Sequence, residues 1–344
     1  MTNKAFGLDI GATTIKAVSL GKNGSSFVLN SCLISPTPPK GMLSESPLDQ
    51  KAMADAIRQV INDAQISSRI VNIALPDSQV YTKVIDMPIL TDKELSSAIY
   101  WEAEQHIPVP LTDIHLVWQV LHRPEKAEEA QNMQVLLVGA PNQLISKYQH
   151  ICALSGLTID VMETEILSVV RALSAGVGMP ATLIVDIGAV STSLSIIRGG
   201  GIVFTYSFPA GGVTINRAIA ADYGLSPQQA EEYKKVYGMG DKSLGGKIGK
   251  STQPILSSIL GEVKKAFAFY SQKYKDDMPI RQIILAGGTA KLPGIDLYFA
   301  RESGIETVVA NPWKMLSGQQ IPKEILDEGP DYTIAVGLAM RAYE

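Results

Sequence analysis

Apolar positions along this chain switch between a helical period and short β-type runs, and the switches lay out an alternating α/β order. After Pro47, the residues Met53, Ala56, Ile57, Val60, Ile61 and Ala64 recur at helical spacing and predict an amphipathic helix leading to a strand over Ile70 to Leu75. Val80 to Met87 reads as a strand, and Thr91 with Glu94 forms a capping box for a helix that must end before Pro108. The stretch Ile114 to Leu121 and a strand over Met133 to Val138 follow, separated by a charged, Glu-rich loop over Arg123 to Gln131. Asn142 reads as the cap of the next helix, which Gly156 closes. In the second half, Ser226, Pro227 and Gln229 open another helix, and Ile255, Ile259, Val263, Phe267 and Tyr270 form a helical stripe that core packing explains.

One short pattern occurs twice, half a chain apart. The first copy is Gly7-Leu8-Asp9-Ile10-Gly11-Ala12-Thr13-Thr14-Ile15-Lys16, the second Ile184-Val185-Asp186-Ile187-Gly188-Ala189-Val190-Ser191-Thr192-Ser193. Each is an apolar run into Asp, Gly and small hydroxyl residues, followed by β-branched or alternating residues, which spells a β-hairpin with a tight tip. Gly11 and Gly188 would let backbone approach an anion in conformations closed to other residues, and Thr13, Thr14, Ser191 and Thr192 would add hydroxyl donors without bulk. Asp9 and Asp186 beside phosphate donors argue for a hydrated Mg²⁺ between carboxylate and phosphates, and Lys16 for a point charge on the same phosphates. One such hairpin alone is better explained by turn geometry; the repeat favours a polyphosphate held from both sides. A third element, Arg281 to Gly294, reads as a buried strand, the diglycine turn Gly287-Gly288 and a helix with Pro293 near its first turn.

Composition narrows the setting. The 344 residues exceed the typical ~150 per domain, so two lobes are expected. A net charge of −4 and a pI near 5.7 give no electrostatic footprint for nucleic acid. Met1 to Phe6 runs directly into the first strand, leaving no room for a signal peptide, and no apolar run approaches the ~18 residues of a membrane span, so no direct membrane insertion is expected. The two cysteines, Cys32 and Cys152, form no ligand motif and fit a reducing cytoplasm, and the four histidines are scattered without metal-site spacing. The run Gly245-Gly246-Lys247-Ile248-Gly249-Lys250-Ser251 imitates a P-loop but is one residue short and follows no apolar strand; a flexible basic loop is expected there.

Together these elements resemble the first phosphate loop, second phosphate loop and adenosine loop of the actin, sugar kinase and heat-shock chaperone superfamily. Two connecting segments of that superfamily are recognisable too, at Glu163 to Leu173 and at Thr333 to Arg341. The resemblance implies an α/β, two-lobed actin-like ATPase fold of duplicated ribonuclease-H-like domains. It also implies an ATP and Mg²⁺ site drawing on Gly11, Ala12, Thr13, Thr14 and Lys16, on Gly188, Ser191, Thr192, Gly211 and Gly212, and on Gly287, Gly288, Thr289 and Lys291, with Asp9 and Asp186 toward the metal. Ala230-Glu231 through Lys234 looks like the superfamily helix whose Glu and Lys approach ribose and adenine; a solvated charged face is the plainer alternative. Glu165 stands where the superfamily places the residue that orients an attacking water, with a structural helix-capping carboxylate as the other reading.

Within the superfamily, Trp101 to Pro110, Ala74-Leu75-Pro76-Asp77-Ser78 and Val308 to Trp313 are similar to the PilM family of type IV pilus assembly proteins. That family and the division protein FtsA share a subdomain inserted in the first lobe, which here would occupy 84–155. The first lobe would then comprise 1–83 and 156–180, the second 181–330, and the closing connecting segment 331–344. FtsA ends in an amphipathic membrane helix, whereas this sequence stops at Glu344 right after the connecting segment, which favours the PilM branch. The resemblance implies a cytoplasmic ATP-binding adaptor of a pilus or related secretion platform, with slow turnover at most. It would bind the cytoplasmic N-terminal tail of a PilN-like single-span membrane protein in a groove beside the inserted subdomain, with the pilus motor ATPase and further copies of itself as additional candidate partners. An FtsA-like filament former is the runner-up. A small-molecule kinase is less favoured because no carboxylate base beside an acceptor pocket is evident, and a CoA-dehydratase activator needs cluster-binding cysteines that are absent.

Overall fold

The computed structural model describes residues 4–24, 26–124, 132–174, 180–239, 246–275, 278–316 and 320–344. The expectations for the first three residues, for 125–131 of the Glu-rich loop and for Gly245 lie outside this range. The first half runs β1 (Phe6–Ile10), β2 (Thr14–Asn23), β3 (Ser26–Pro36), α1 (Pro47–Asp63) and β4 (Ile70–Leu75). It continues with β5 (Tyr81–Met87), α2 (Asp92–His106), β6 (Ile114–His122), β7 (Met133–Pro141), α3 (Asn142–Leu154), β8 (Thr158–Thr164) and α4 (Glu165–Leu173). The second half runs β9 (Ala181–Ile187), β10 (Thr192–Arg198), β11 (Gly201–Phe208), α5 (Gly212–Tyr223), α6 (Pro227–Tyr237) and α7 (Lys247–Tyr274). It closes with β12 (Ile280–Ala286), α8 (Ile295–Ser303), β13 (Glu306–Val309), α9 (Lys323–Asp327) and α10 (Gly329–Arg341).

The duplication heard in the two motifs is a duplication of sheets. The orders β3-β2-β1-β4-β8 and β11-β10-β9-β12-β13 are the same arrangement, each with an antiparallel hairpin at one side and parallel strands at the other. Between β12 and α8 the second half has only a short glycine-rich turn, whereas between β4 and α3 the first half carries a separate three-stranded sheet, β5-β7-β6, with α2 on one face. That face is apolar: Ile85, Met87, Met133, Val135 and Leu137 alternate along the strands and pack against Leu95, Ile99 and Ala103 of α2. The alternate face of β7, Leu136, Val138 and Ala140, joins the core of the first sheet together with Tyr148, Ile151 and Cys152 of α3.

The lobes are joined where α4 and α10 cross. Val169 of α4 packs with Ile184, Ile197 and Ile284 of the second sheet, while Ala335, Val336 and Ala339 of α10 pack with Val18 and Leu20 of the first. Backbone meets backbone at the crossing, because a Cβ on Gly337 would lie 1.9 Å from the Ser168 carbonyl oxygen, and one on Gly7 of β1 would lie 2.1 Å from that of Ala335. Arg171 ties the crossing polar side, gripping Glu163 through two hydrogen bonds of 2.5 and 2.9 Å and donating to the Gly337 carbonyl at 3.2 Å.

Both expected capping boxes form, at Thr91/Glu94 and Ser226/Gln229. Three local expectations are corrected. Residues 247–251 are the start of α7, not a loop, because Ile248, Ser251, Thr252 and Leu256 share one buried helical face and the Ser251 hydroxyl donates to Asp222. Asn142 is already helical, and its amide donates to the Thr112 carbonyl at 3.2 Å instead of capping. Pro293 precedes α8, since the left-handed Gly294 (φ 80°) occupies the cap and Ile295 begins the helix.

Gly337→Ala is expected to lower the unfolding free energy by about 3 kcal/mol or more through overpacking at the crossing. Gly261→Ala, in α7 where a Cβ meets nothing within 4 Å, is expected to raise it by about 0.5–1 kcal/mol through helix propensity. Urea midpoints of the two variants check both signs, and equal effects would contradict the packing described.

Candidate functional site: a cleft between two matched hairpin loops

The two hairpin tips face one cleft of about 770 Å³ between the lobes. They are built alike: Ile10 pairs with Ile15 and Ile187 with Thr192, leaving four-residue tips, and the N–H of Gly11 donates to Thr14 O at 3.0 Å as that of Gly188 does to Ser191 O at 2.9 Å. The reason for glycine differs from the one expected. Neither Gly11 nor Gly188 has a positive φ; a Cβ on Gly11 would instead press on Thr14 O at 2.8 Å and on Lys16 Nζ at 3.2 Å. Thr37 braces the first tip, its hydroxyl donating to Gly11 O at 2.8 Å and its N–H to Thr13 O at 2.9 Å.

The second tip rests on the N-terminus of α5, where the N–H groups of Gly212 and Val213 donate to the carbonyls of Gly188 and Ala189 at 2.9 and 2.8 Å. The Thr289 hydroxyl adds a 3.3 Å bond to Gly188 O. Gly287 is the residue here that needs a left-handed backbone (φ 79°), and it lies so near Asp186 that a Cβ would fall 2.4 Å from Oδ1. Gly288 lies against Asp331 in the same way, at 2.6 Å. On α6, Lys234 is buried and donates to Glu231 at 2.7 Å, while Asn216 of α5 donates to the same carboxylate.

Of the residues singled out in the sequence, the cleft gathers Asp9, Gly11, Ala12, Thr13, Thr14, Lys16, Glu165, Asp186, Gly188, Ser191, Gly212, Glu231, Lys234, Gly287, Gly288, Thr289 and Lys291. Thr192 and Gly211 do not line it. The Thr192 hydroxyl is buried and donates to Ala210 O at 2.6 Å, so it holds the hairpin base, and Gly211 sits behind the second tip, where a Cβ would lie 2.7 Å from the carbonyls of Gly188 and Ala189. Lys291 is engaged by Glu328 and Asp331.

Electrostatically the cleft is a carboxylate cluster with two buried lysines, Lys16 among the carboxylates and Lys234 on α6. Lys16 and Asp9 form a buried ion pair at 2.8 Å; burial pulls the lysine down, but the Asp9 charge and hydrogen bond outweigh it and hold it above its usual value. Asp186 is pushed up to about 7 by burial, then by the charges of Asp77 and Asp9, with Lys16 opposing. Glu165 is raised by burial, then by Asp77, Asp9 and Asp186. Asp77, which sequence reasoning passed over except as part of a family likeness, joins this cluster. Its N–H donates to Glu165 at 3.1 Å, and its carboxylate accepts from the Ile166 N–H at 3.2 Å, capping α4 where Thr164 does not. Burial raises Asp77 to about 6 against the pull of Ser193 and the Ile166 N–H. Asp331 and Asn216 were also missed; the only hint was Asp331 lying just before the second connecting segment.

The sequence of the family described as type IV pilus assembly protein PilM matches residues 7–343. The chain belongs to the PilM family. The PilM-PilN type IV pilus biogenesis complex contains a chain that superposes with a TM-score of 0.86 at 27% identity, over 99% of each chain. The cell division protein FtsA of Streptococcus pneumoniae serotype 2 (strain D39 / NCTC 7466) is 24% identical over 328 residues, covering 84% of this chain and 71% of FtsA. MreB 5 of Spiroplasma citri bound to AMPPNP has a TM-score of 0.54 at 14% identity, covering 100% of this chain and 96% of MreB, a likeness of fold. Membership of the PilM family and the shared actin-like fold agree with the two matched lobes, and FtsA is a more distant relative.

Because Asp186 and Asp77 hold protons in the folded state at pH values where the unfolded chain has lost them, stability must fall as pH rises from the ordinary carboxylate range to about 7. The thermal midpoint of the ligand-free protein is expected to drop by several degrees between about pH 5.5 and about pH 8, and Asp186→Asn to flatten that slope. A slope in the variant as steep as in the wild type would reject the assignment.

Proposed function

We propose that this chain is a nucleotide-binding adaptor of a type IV pilus inner-membrane assembly platform. It would hold the cytoplasmic N-terminal tail of a PilN-like membrane protein in a groove beside the inserted sheet. The observation that carries this reading is the near-complete superposition on a chain of the PilM-PilN complex, together with the family match over 7–343. An extended tail suits a site offering strand edges and alternating side-chain pockets, and β6 is the open edge of the inserted sheet. No helix among the described residues is long and apolar enough to cross a membrane, so placement on the cytoplasmic face of the membrane would come from the partner.

The cleft is the proposed ATP site, with the hairpin tips toward the phosphates and Gly287, Gly288, Glu231 and Lys234 toward the nucleoside. The MreB relative of the same fold carries AMPPNP. Excess carboxylate in a site shaped for phosphate fits Mg²⁺, which keeps several waters and takes one or two carboxylates plus phosphate oxygens. Asp9 and Asp186 would face it, and the ion would supply the positive charge that Lys16 alone does not. Lys16, paired with Asp9, holds that carboxylate in place, and Asp77 fixes Glu165 at the mouth of α4, where it would orient water. Slow turnover is proposed, with nucleotide acting chiefly as a clamp between lobes.

A labelled peptide copying the cytoplasmic N-terminus of a PilN-like protein from the same genome is expected to bind saturably. Absence of binding with ATP, ADP or no nucleotide would overturn the adaptor reading. Asp9→Ala is expected to weaken Mg²⁺-dependent ATP binding by about tenfold or more, the scale of a lost charge-assisted interaction; unchanged affinity would remove Asp9 from the site.

A further inference from the structure

The inserted sheet touches both lobes, by contacts of opposite kinds. Toward the first lobe it is fused by apolar packing: Leu136, Val138 and Ala140 of β7 share one core with Leu8, Ile10 and Tyr148. Toward the second lobe it meets polar groups. The Thr205 hydroxyl of β11 donates to Thr82 O of β5 at 3.0 Å, and Lys273 at the end of α7 pairs with Asp86 of β5 at 2.7 Å. Gln134 of β7 donates both to Asp86 at 3.2 Å and to the Tyr274 hydroxyl at 3.0 Å. The apolar cluster of the second sheet includes no residue of the inserted sheet among those described.

This seam also has a short route to the cleft. The second hairpin tip leads directly into β10, whose Ser195 pairs with Thr205 of β11, the residue bonded to Thr82. β5 and β11 are both edge strands, lying side by side without a backbone ladder between them. Tyr274, which receives Gln134, is also packed by the Tyr270 ring at 4.9 Å and the Arg198 guanidinium at 4.7 Å. When the lobes rotate about the α4 and α10 crossing, an apolar core resists and an exposed polar contact yields. The polar seam is therefore the contact of the inserted sheet that changes at the lower cost.

We propose that the seam formed by Asp86, Gln134 and Thr82 against Lys273, Tyr274 and Thr205 is a latch through which nucleotide closure of the cleft sets the inserted sheet, and with it the affinity for the partner tail. This deepens the adaptor reading and rests on it for the identity of the ligand. ATP bound to both hairpin tips favours the latched arrangement, which fixes β5 and β7 and preforms the groove. By linkage the peptide then favours ATP by the same factor.

The test compares the full-length wild type, Asp86→Lys, Lys273→Asp and the double exchange. The labelled PilN-like tail peptide is titrated with and without saturating ATP and Mg²⁺, and amide hydrogen exchange of β5 and β7 is followed under the same conditions. In the wild type ATP is expected to tighten the peptide about tenfold and to slow exchange in both strands. Each single reversal should bring the ratio close to one while ATP still binds, and the double exchange should restore it. A wild-type ratio of one, or a wild-type ratio preserved in both single reversals, overturns the latch while leaving the adaptor reading intact. If the peptide fails to bind at all, the adaptor reading falls, and the exchange data decide the latch alone. ATP-dependent protection that is lost in the single variants and regained in the double one supports it, and exchange in β5 and β7 indifferent to ATP overturns it.

Discussion

The whole arrangement depends on two helices crossing with no side chain between them. Gly337 lets α10 lie against the Ser168 carbonyl of α4, and Gly7 lets the same helix lie against β1. Close crossing allows each helix to bury a face against one sheet while its N-terminal end opens into the cleft, α4 bringing Glu165 and α10 bringing Asp331. The facing of the two hairpin tips across the cleft follows from that contact. Arg171, holding Glu163 and the Gly337 carbonyl together, keeps the crossing in register.

Electrostatic design in the cleft is the second theme. Asp9, Asp77, Glu165, Asp186 and Asp331 come from separate elements into a space where the lysines are already engaged, Lys16 by Asp9 and Lys291 by Glu328 and Asp331. A ligand that carried only negative charge would be repelled. Burial raises Asp186 and Glu165 first, and the neighbouring carboxylates raise them further.

The inserted sheet shows how one lobe of a duplicated fold can gain an element that its counterpart lacks. It replaces what in the second half is a turn of a few residues, and its β7 is apolar on both faces because one serves α2 and the other the first core. Against the second lobe it presents polar groups, which keep the lobes separable.

The amino-acid sequence by itself determined much. The Asp-x-Gly repeat at Asp9 and Asp186, the helical stripe through Ile259, Val263 and Tyr270, and the capping boxes at Thr91 and Ser226 depend on residues within a turn or two of one another, where periodicity and local hydrogen bonding decide. Thr192 reads like its neighbour Ser191, yet its hydroxyl faces Ala210, because strand alternation puts adjacent residues on opposite faces. Asp77 caps a helix 89 residues further along the chain, at Ile166, and no local pattern announces such a partner. Residues 247–251 look like a basic loop until their buried face is placed on Asp222 and the second core. Helix α3 falls within the segment 84–155 expected to be the inserted subdomain, and its Tyr148, Ile151 and Cys152 pack in the core of the first sheet. Local chemistry wrote the elements and the two hairpin tips; only the tertiary structure decided which carboxylates meet, since the energy that brings them together comes from burying distant apolar faces.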